Sequence, residues 1–390
     1  MTVSTSRRSA LGLLGGLPLA GAALAAAPGA AHAAPSRAGA PPRELRPGGA
    51  YDRFVAERAA QDAFSGTVLL AHRGRPVFIR SHGMADKDRE IPNQSDTVYW
   101  LASITKCFTA LAIGQLAQRG RLAFHDTLGD HLDGFPTEIA SAVTIHHLLT
   151  HTSGIGRPAV GNGTPPGLDW DSFDEVMNGT LDLIRQTPLQ FTPGTRYEYS
   201  NDGFFVLGAI VERVAGQSYF DYVRQHVFGT AGMSRTAFHG RPQVIADHTI
   251  ARPYWTQQPS GSRADFATSP YAPFTTGPAG GAYSTVTDLL AFARALTAGD
   301  LLDPPFTELI TGGKVALPPS QPPSQTQFYG YGHLDVIVND QRVLGHSGGG
   351  PGAATRLDIF PDLDWVSIVL GNYDTTINPI VELGRQLITA

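Results

Sequence analysis

The chain has 390 residues, of which 42% are hydrophobic and 16% are charged, so it is long enough for two domains or one large composite domain with a packed core. Its formal net charge of −5 gives no basic surface for nucleic acid, which excludes that class of partner. The single cysteine, Cys107, excludes an intramolecular disulfide, and its position in an apolar run predicts a small core residue.

The first 33 residues predict a twin-arginine export signal. Arg7 and Arg8 precede an Ala- and Gly-rich apolar stretch without acidic residues, and small residues end it at Ala31-His32-Ala33. Two prolines and this cleavage pattern favour removal of the segment over a permanent membrane anchor. We therefore expect a secreted or periplasmic protein, cleaved near Ala33, without a stable membrane anchor and with a Pro/Gly/Ala-rich linker at 34–49.

Helices and strands are predicted along the rest of the chain from periodicity and turn residues. Helical periodicity at 51–64 is followed by two β-rich runs within 66–83, and Arg73-Gly74 between them predicts a hairpin. A largely apolar helix is predicted from Ile104 to Arg119, and its apolar character on nearly every face predicts a buried, central position. Helical runs then follow at 172–187 and 203–228, between Pro- and Gly-rich loops.

The C-terminal third returns to strands. They are predicted at 329–340, 341–349, 353–362 and 364–372, with turns at Asn339-Asp340 and Pro361-Asp362 and a last helix at 377–389. We expect 50–120 and 286–390 to form a catalytic lobe with an antiparallel sheet flanked by the N- and C-terminal helices, and 121–285 to form an inserted, mostly helical lobe. The predicted fold class is α+β, an α/β sandwich, with a site in the cleft between the lobes.

A serine–lysine pair is the first indication of chemistry. Only three of the 29 basic residues are lysine, and Lys106 lies in the apolar helix, three residues after Ser103. This spacing places both side chains on one face of a helix. Burial lowers the pKa of a lysine, so a neutral Lys106 accepts the proton of Ser103, which an arginine cannot do. The alternative is a lysine that extends toward water, but the apolar run gives its ammonium group little to reach.

Two further motifs follow in the chain, Tyr199-Ser200-Asn201 in YEYSNDG and His346-Ser347-Gly348 in LGHSGGGPG. Together with Ser103-x-x-Lys106 they resemble the Ser-x-x-Lys, Tyr-x-Asn and Lys/His-x-Gly motifs of the superfamily of class C serine β-lactamases, DD-peptidases and related esterases. The stretches TIHHLLTHTSGI, PGTRYEYSN and GGAYSTVTDLLAFARAL support this resemblance, which runs from about residue 51 to the C-terminus. A buried tyrosine at a lobe interface and a helix N-cap are the alternatives for Tyr199 and Asn201.

The resemblance implies a β-lactamase/transpeptidase-like fold and catalytic roles for four residues. Ser103 attacks an acyl carbon and forms an acyl-enzyme, Lys106 and Tyr199 share the general-base work, and Tyr199 protonates the leaving group. His346 tunes the site electrostatically, and because histidine changes charge near neutral pH, we expect it to shape the pH dependence.

The resemblance also implies how substrate is bound. Asn201 contacts the acyl side chain of the substrate and Lys106, and the N–H groups of Ser103 and Gly349 form the oxyanion hole. We expect the hydroxyl of Ser347 to contact substrate beside Gly349. Arg356, near the third motif, is a candidate to bind a substrate carboxylate.

Two other patterns resemble the motifs of an α/β-hydrolase and of a zinc site, but each lacks a residue that its motif requires. GHSGG at 345–349 matches the Gly-x-Ser-x-Gly elbow of α/β-hydrolases, but that fold has its catalytic histidine after the nucleophile, and no histidine follows Ser347 in the sequence. His147 and His151 are four residues apart, as in a zinc helix, but Leu148 stands where that motif has glutamate. The sequence therefore predicts neither a metal nor a cofactor.

The sequence as a whole predicts an exported serine hydrolase that forms an acyl-enzyme with a small peptide, amide or ester, and β-lactams are potential ligands. Within the superfamily, His346 rather than lysine in the third motif resembles DD-peptidases and D-amino-acid peptidases more than class C β-lactamases, and this resemblance favours a D-stereospecific peptidase or a DD-carboxypeptidase-like enzyme. A carboxylesterase or transacylase, a β-lactamase, and a non-catalytic envelope sensor that binds penicillin or peptide stay open as alternatives.

Overall fold

The computed structural model describes residues 40–156, 166–258, 260–318 and 325–390. The strands are β1 (Gly66–His72), β2 (Arg75–His82), β3 (Met84–Asp86), β4 (Ile91–Pro92), β5 (Tyr99–Trp100), β6 (Ala237–Phe238), β7 (Tyr254–Thr256), β8 (Arg263–Asp265), β9 (Ala282–Ser284), β10 (Val315–Ala316), β11 (Gln325–Tyr329), β12 (Leu334–Val338), β13 (Gln341–Gly350), β14 (Ala353–Phe360) and β15 (Trp365–Gly371). The helices are α1 (Ala50–Ala60), α2 (Thr105–Gln118), α3 (Thr137–Ala142), α4 (Ile145–Leu149), α5 (Phe173–Arg185), α6 (Asn201–Ala215), α7 (Tyr219–Val223), α8 (Arg241–Ala246), α9 (Gly277–Gly280), α10 (Val286–Ala298), α11 (Pro304–Thr311) and α12 (Asn378–Ile388).

An eight-stranded antiparallel sheet joins the two ends of the described chain. Its strand order is β10-β11-β12-β13-β14-β15-β1-β2, so the C-terminal strand β15 pairs with the N-terminal strand β1. The predicted hairpin links β1 to β2, and its turn residues Arg73 and Gly74 have φ of +52° and +70°. Two successive positive φ values suit the right-handed twist of a tight hairpin. The predicted α+β fold with a flanked antiparallel sheet is confirmed.

The sheet has a hydrophobic core on each face, which explains why β1 and β15 are largely apolar along their whole length. In β15, Ile368 and Leu370 pack into the core formed with α2, α6 and α10, whereas Val369 packs into the core formed with α1 and α12. Successive side chains of a strand point to opposite faces, so a strand buried on both sides loses the usual polar alternation. Pro41–Ala390 form one compact unit, and the lobe boundaries predicted at 121 and 285 stay predictions.

The central helix α2 lies where the sequence predicts it. It runs from Thr105 to Gln118, one residue short of the prediction at each end, and a 3₁₀ turn at Ala102–Ile104 precedes it. Gly120 follows with φ of +65°, a conformation that favours glycine after a helix. The buried positions of α2 extend over every face of its first three turns, because the helix lies between the sheet and the helices of the middle segment.

The middle of the chain differs from the prediction in detail. The helical run at 203–228 is divided, because α6 ends at Ala215 and Gly216 follows with φ of +72°. Helix α7 then continues into a π-helix at Arg224–Gly229. In the described parts of the chain, none of the helices has the length and apolarity that a membrane crossing needs. The predicted signal peptide at 1–33 and the first part of the linker, 34–39, lie outside the described residues.

Candidate active site

Ser103 lies in the 3₁₀ turn that leads into α2. The residue before it, Ala102, has φ of +46°, which is rare for a residue with a side chain and costs on the order of 1 kcal/mol or more. Two threonines hold this turn, since Thr105 donates its hydroxyl to the Ala102 carbonyl at 2.7 Å and Thr355 donates to the Leu101 carbonyl at 2.9 Å. The strained turn is thus fixed from both the helix and the sheet, and it presents Ser103 at the N-terminal end of α2.

Lys106 is fully buried, and its amine has three partners. Nζ lies 3.0 Å from Ser103 Oγ, 2.8 Å from Asn201 Oδ1 and 2.6 Å from the Ala279 carbonyl oxygen. Burial lowers the pKa of Lys106 well below its usual value of 10.5. The helical spacing of Ser103 and Lys106 therefore gives the close contact that the sequence predicts.

Tyr199 completes the group at Ser103. Its hydroxyl lies 2.8 Å from Ser103 Oγ, and burial raises its pKa, although 42% of the residue is exposed. The ring of Tyr199 also lies 4.9 Å from the Lys106 amine, measured to the ring centroid. Lysine and tyrosine thus meet at the same serine oxygen.

The three partners of Lys106 would satisfy the three hydrogens of an ammonium, so it is the lowered pKa of the buried amine that favours a neutral lysine. A neutral amine has two hydrogens and one lone pair. Asn201 Oδ1 and the Ala279 carbonyl accept the two hydrogens, which leaves the lone pair directed at the hydroxyl of Ser103. Tyr199 then donates to Ser103 Oγ. The lowered pKa of Lys106 and the raised pKa of Tyr199 both favour this uncharged arrangement, in which Ser103 already faces its proton acceptor.

Asn201 is held at the start of α6, but it is not the helix cap. Ser200 is the N-cap, because its side-chain oxygen accepts the backbone N–H of Gly203 at 3.0 Å. With the cap supplied by Ser200, the side chain of Asn201 is free to accept from Lys106. The helix-cap alternative for Asn201 does not fit this geometry.

His346 is buried in β13 and uses both ring nitrogens. Nδ1 lies 2.5 Å from the carbonyl oxygen of Ser347, and Nε2 lies 3.0 Å from the hydroxyl of Tyr329. Nδ1 therefore carries the proton and Nε2 accepts from Tyr329. Burial lowers the pKa of His346 to about 3. Our expectation that His346 changes charge near neutral pH does not fit this environment, because desolvation keeps the ring neutral.

The glycines after His346 bring β13 against the Ser103 turn. A Cβ atom on Gly348 would lie 2.1 Å from the Leu101 carbonyl oxygen, so only glycine permits this approach. Gly349 has open space where a side chain would be, and it lines the same cleft as Ser103. The structure thus brings Gly349 to the predicted site.

The structure does not bring Ser347 and Arg356 to that site. His346 and Gly348 face α2, so Ser347 between them faces the other side of the sheet. There Ser347 pairs with Arg356 on β14 and lines a second cleft beside α12, which meets the cleft at Ser103 at Gly349 and Gly350. Arg356 forms an ion pair with Asp358, Nε to Oδ1 at 2.6 Å. The expected substrate contacts of Ser347 and Arg356 therefore do not fit their placement.

A cleft of about 330 Å³ opens at Ser103 and extends between the Gly349 segment and the helices. Its described walls are mainly apolar, and the aromatic members are Trp100, Trp170 and Phe205. Trp170 is held between two glycines, because a Cβ atom on Gly167 or Gly179 would lie 2.4 Å or 2.3 Å from its indole ring. Within the described residues, no cluster of three or more His, Cys, Asp or Glu side chains is placed to hold a metal ion.

Sequence reasoning missed two groups at this site. The carbonyl of Ala279 in α9 binds Lys106, but a backbone group leaves no signal in the residue type. His151, considered above only as part of a zinc pattern, accepts the backbone N–H of Ser200 and contacts the Tyr199 ring. The stretch TIHHLLTHTSGI contained this signal, but the sequence alone did not show where His151 lies.

A buried lysine and a tyrosine that converge on one serine at the mouth of a cleft define a serine hydrolase that works through an acyl-enzyme. The fold and the order of the three motifs then specify its relatives. The chain belongs to the beta-lactamase family, whose profile matches residues 51–386.

Individual relatives agree with this assignment. The chain is 31% identical to Penicillin-binding protein 4* of Bacillus subtilis over 324 residues, which cover 79% of this chain and 68% of that protein. It is 30% identical to Esterase EstB of Burkholderia gladioli over 328 residues, which cover 76% of this chain and 80% of that protein. A penicillin binding protein from Bacillus halodurans has a crystal structure that matches with a TM-score of 0.74 at 30% identity, covering 85% of this chain and 99% of that one. The family predicted from the motifs is confirmed.

Proposed function

We propose that this chain is an exported enzyme that hydrolyses a small amide or ester through an acyl-enzyme on Ser103, with D-stereospecific peptidase or amidase activity as its principal reaction. The observation that carries the proposal is the convergence of Lys106 Nζ and Tyr199 OH on Ser103 Oγ, at 3.0 Å and 2.8 Å. A base within this distance of the hydroxyl is what a serine nucleophile needs.

Acylation uses these three groups in turn. Ser103 Oγ forms a bond to the acyl carbon while its proton passes to Lys106 Nζ. When the bond to the leaving group breaks, Tyr199 gives its hydroxyl proton to the leaving nitrogen or oxygen, and the proton held on Lys106 restores Tyr199. Water then attacks the acyl-enzyme with the same groups acting in the reverse direction, which releases the acid and Ser103.

The negative oxygen that forms during attack also needs stabilisation. The backbone N–H groups of Ser103, in the turn before α2, and Gly349, beside the cleft, are the proposed donors. One such donor contributes on the order of 3 kcal/mol to the stability of a transition state. The neutral His346 supports the site through Tyr329, as a hydrogen-bond acceptor rather than as a charge.

The charges around the cleft favour an uncharged leaving group. The described lining of the cleft includes no arginine or lysine side chain, and Arg356 is on the opposite face of the sheet. A substrate carboxylate gains most from a charged partner in such a site. We therefore place D-amino-acid amides and similar peptides ahead of DD-carboxypeptidase substrates, which end in a carboxylate.

Ester hydrolysis is the second candidate function. The similarity to Esterase EstB, at 30% identity, and the apolar walls formed by Trp100, Trp170 and Phe205 support it. An ester can acylate Ser103 as well as an amide can, since the alcohol of an ester is a better leaving group than the amine of an amide. β-Lactams are expected to acylate the same serine, and acyl transfer to an amine competes with hydrolysis.

The location of the enzyme is also a proposal. The paired Arg7-Arg8, the apolar stretch and Ala31-His32-Ala33 support twin-arginine export with cleavage near Ala33. We expect the double Arg7→Lys, Arg8→Lys variant to stay inside the cell. Secreted protein that still begins at residue 1 would contradict cleavage.

A substrate panel on protein beginning at residue 34 tests the proposed function. The panel contains a D-amino-acid amide with its L enantiomer, a D-Ala-D-Ala peptide, a short-chain aryl ester and a chromogenic cephalosporin. We expect turnover of the D-amide above the L-amide and the D-Ala-D-Ala peptide, and no turnover in the Ser103→Ala variant. Turnover of the ester alone would favour the second candidate, and binding without turnover of any compound would favour the envelope sensor.

A further inference from the structure

His151 has an unusual backbone and a buried side chain. It lies just after α4 with φ of +58°, a left-handed conformation that costs energy for a residue with a side chain, and only 1% of it is exposed. Strain of this kind persists only where surrounding contacts require it. The contacts of His151 therefore show what the strained conformation achieves.

Three of those contacts fall on the segment that carries Tyr199. The carbonyl oxygen of His151 accepts the backbone N–H of Glu198 at 2.9 Å, and its Nδ1 accepts the backbone N–H of Ser200 at 3.0 Å. Between these two hydrogen bonds, the imidazole ring packs on the ring of Tyr199 with centroids 4.3 Å apart. His151 thus holds Tyr199 from both neighbouring peptide groups and from its ring.

The other faces of the imidazole ring are also packed. The rings of Phe204 and Tyr329 lie 5.2 Å and 4.5 Å from it, and Tyr329 in turn bonds His346. Nε2, which carries the proton when Nδ1 accepts from Ser200, is buried and has no hydrogen-bond partner among the described residues. Within the described parts of the chain, the side chain of His151 makes one hydrogen bond, the one to the Tyr199 segment.

We propose that His151 is a positioning residue that fixes the hydroxyl of Tyr199 against Ser103 through its hydrogen bond to the Ser200 N–H and its ring contact with Tyr199. This inference rests on the proposed function, in which Tyr199 transfers a proton. Tyr199 needs such support because 42% of it is exposed, so protein contacts cover only part of its surface. Burial also lowers the pKa of His151 well below its usual value, so Nδ1 remains an acceptor at neutral pH.

The test separates the acceptor from the backbone strain. Glycine and asparagine both tolerate a positive φ, and of the two only asparagine has a side-chain acceptor near the position of Nδ1. We therefore compare His151→Gly with His151→Asn. The matched control is His147→Asn, because Nδ1 of His147 likewise accepts a backbone N–H, that of Thr144 at 3.2 Å, at the start of α4.

The measurements are kcat and KM on an aryl ester, the rate at which a fluorophosphonate labels Ser103, and the thermal unfolding midpoint. For His151→Gly we expect kcat and the labelling rate to fall together by about 100-fold, as for a displacement of about 1 Å, with KM changed by less than about twofold. The kcat of His151→Asn should be at least tenfold higher than that of His151→Gly, and His147→Asn should have the same kcat as the parent.

Two results would overturn the inference. One is equal kcat for the Gly and Asn variants in folded protein, which would mean that the acceptor has no effect on Tyr199. The other is a fall in the unfolding midpoint with kcat unchanged, which would mean that His151 acts on stability alone. A parental protein that is not labelled at Ser103 would instead contradict the proposed function itself, so the two failures are distinguishable.

Discussion

Gly348 offers a test of how closely the sheet must approach the nucleophile. A methyl group added there would lie 2.1 Å from the Leu101 carbonyl oxygen and 2.3 Å from Thr355 Oγ1, two atoms that brace the Ser103 turn. Contacts of a Cβ atom below 3.0 Å are essentially never seen. In Gly348→Ala, β13 and the turn must therefore separate by roughly 1 Å, which moves the two proposed oxyanion donors apart.

A displacement of about 1 Å between catalytic groups costs roughly 100-fold in rate, equivalent to about 2.7 kcal/mol of transition-state stabilisation. We expect Gly348→Ala to lose this factor in kcat/KM on an aryl ester. Gly349→Ala is the matched comparison, because its Cβ would meet no atom within 4 Å, and we expect a loss at least tenfold smaller.

Thermal unfolding of both variants shows whether Gly348→Ala remains folded under the assay conditions. The reasoning is refuted if folded Gly348→Ala has kcat/KM within threefold of the Gly349→Ala variant. Such a result would mean that the turn and the strand are compliant, and that their contact does not set the geometry at Ser103.

Three further predictions concern the lysine, the buried histidine and the cleft wall. Methionine in Lys106→Met fills a similar volume but offers no proton acceptor, so the rate at which a fluorophosphonate labels Ser103 should fall about 1,000-fold. The circular-dichroism spectrum should be unchanged. A labelling rate near that of the parent would indicate a different base. Because the pKa of His346 falls from 6.5 to about 3 on folding, only the unfolded chain binds this proton between those values, and stability falls as the pH drops from 6.5 toward 3. The slope of the unfolding free energy against pH, measured by urea unfolding, reports how many more protons the unfolded chain binds than the folded one. In His346→Gln this number should fall by about one. The same slope in the variant and the parent would argue against a buried neutral ring. Gly179→Ala places a Cβ 2.3 Å from the Trp170 ring and should push the ring into the cleft. The narrower cleft should lower kcat/KM for long-chain esters about tenfold more than for acetyl esters. Equal losses for both esters would show that Trp170 does not limit the length of the acyl chain.

The sequence predicted those parts of the fold that local patterns determine. The hairpin at Arg73-Gly74 and the apolar helix after Ser103 lie where turn chemistry and periodicity place them. The turn at Asn339-Asp340 is equally local, and its residues have φ of +48° and +60°. The Ser103–Lys106 contact was predictable for the same reason, because a spacing of three on a helical turn fixes the distance.

The rest of the site depends on contacts between distant parts of the chain. The face on which Ser347 lies follows from the packing of Gly348 against Leu101, and the sequence of β13 alone does not set it. The depth at which His346 is buried likewise depends on Tyr329 and the surrounding helices, so the sequence alone did not show the desolvation that lowers its pKa. His151 gains its role only because folding brings it to the segment of Tyr199.

Peptide mapping after covalent labelling tests the central claim, that Ser103 is the nucleophile, most directly. A fluorophosphonate is added to the protein that begins at residue 34, and intact-mass and peptide analysis locates the added group. The structure predicts one label on the peptide that contains Ser103, none in Ser103→Ala, and a retained label in Ser347→Ala, since Ser347 lies on the other face of the sheet. A label on Ser347, or undiminished turnover by Ser103→Ala, would contradict the assignment of the active site.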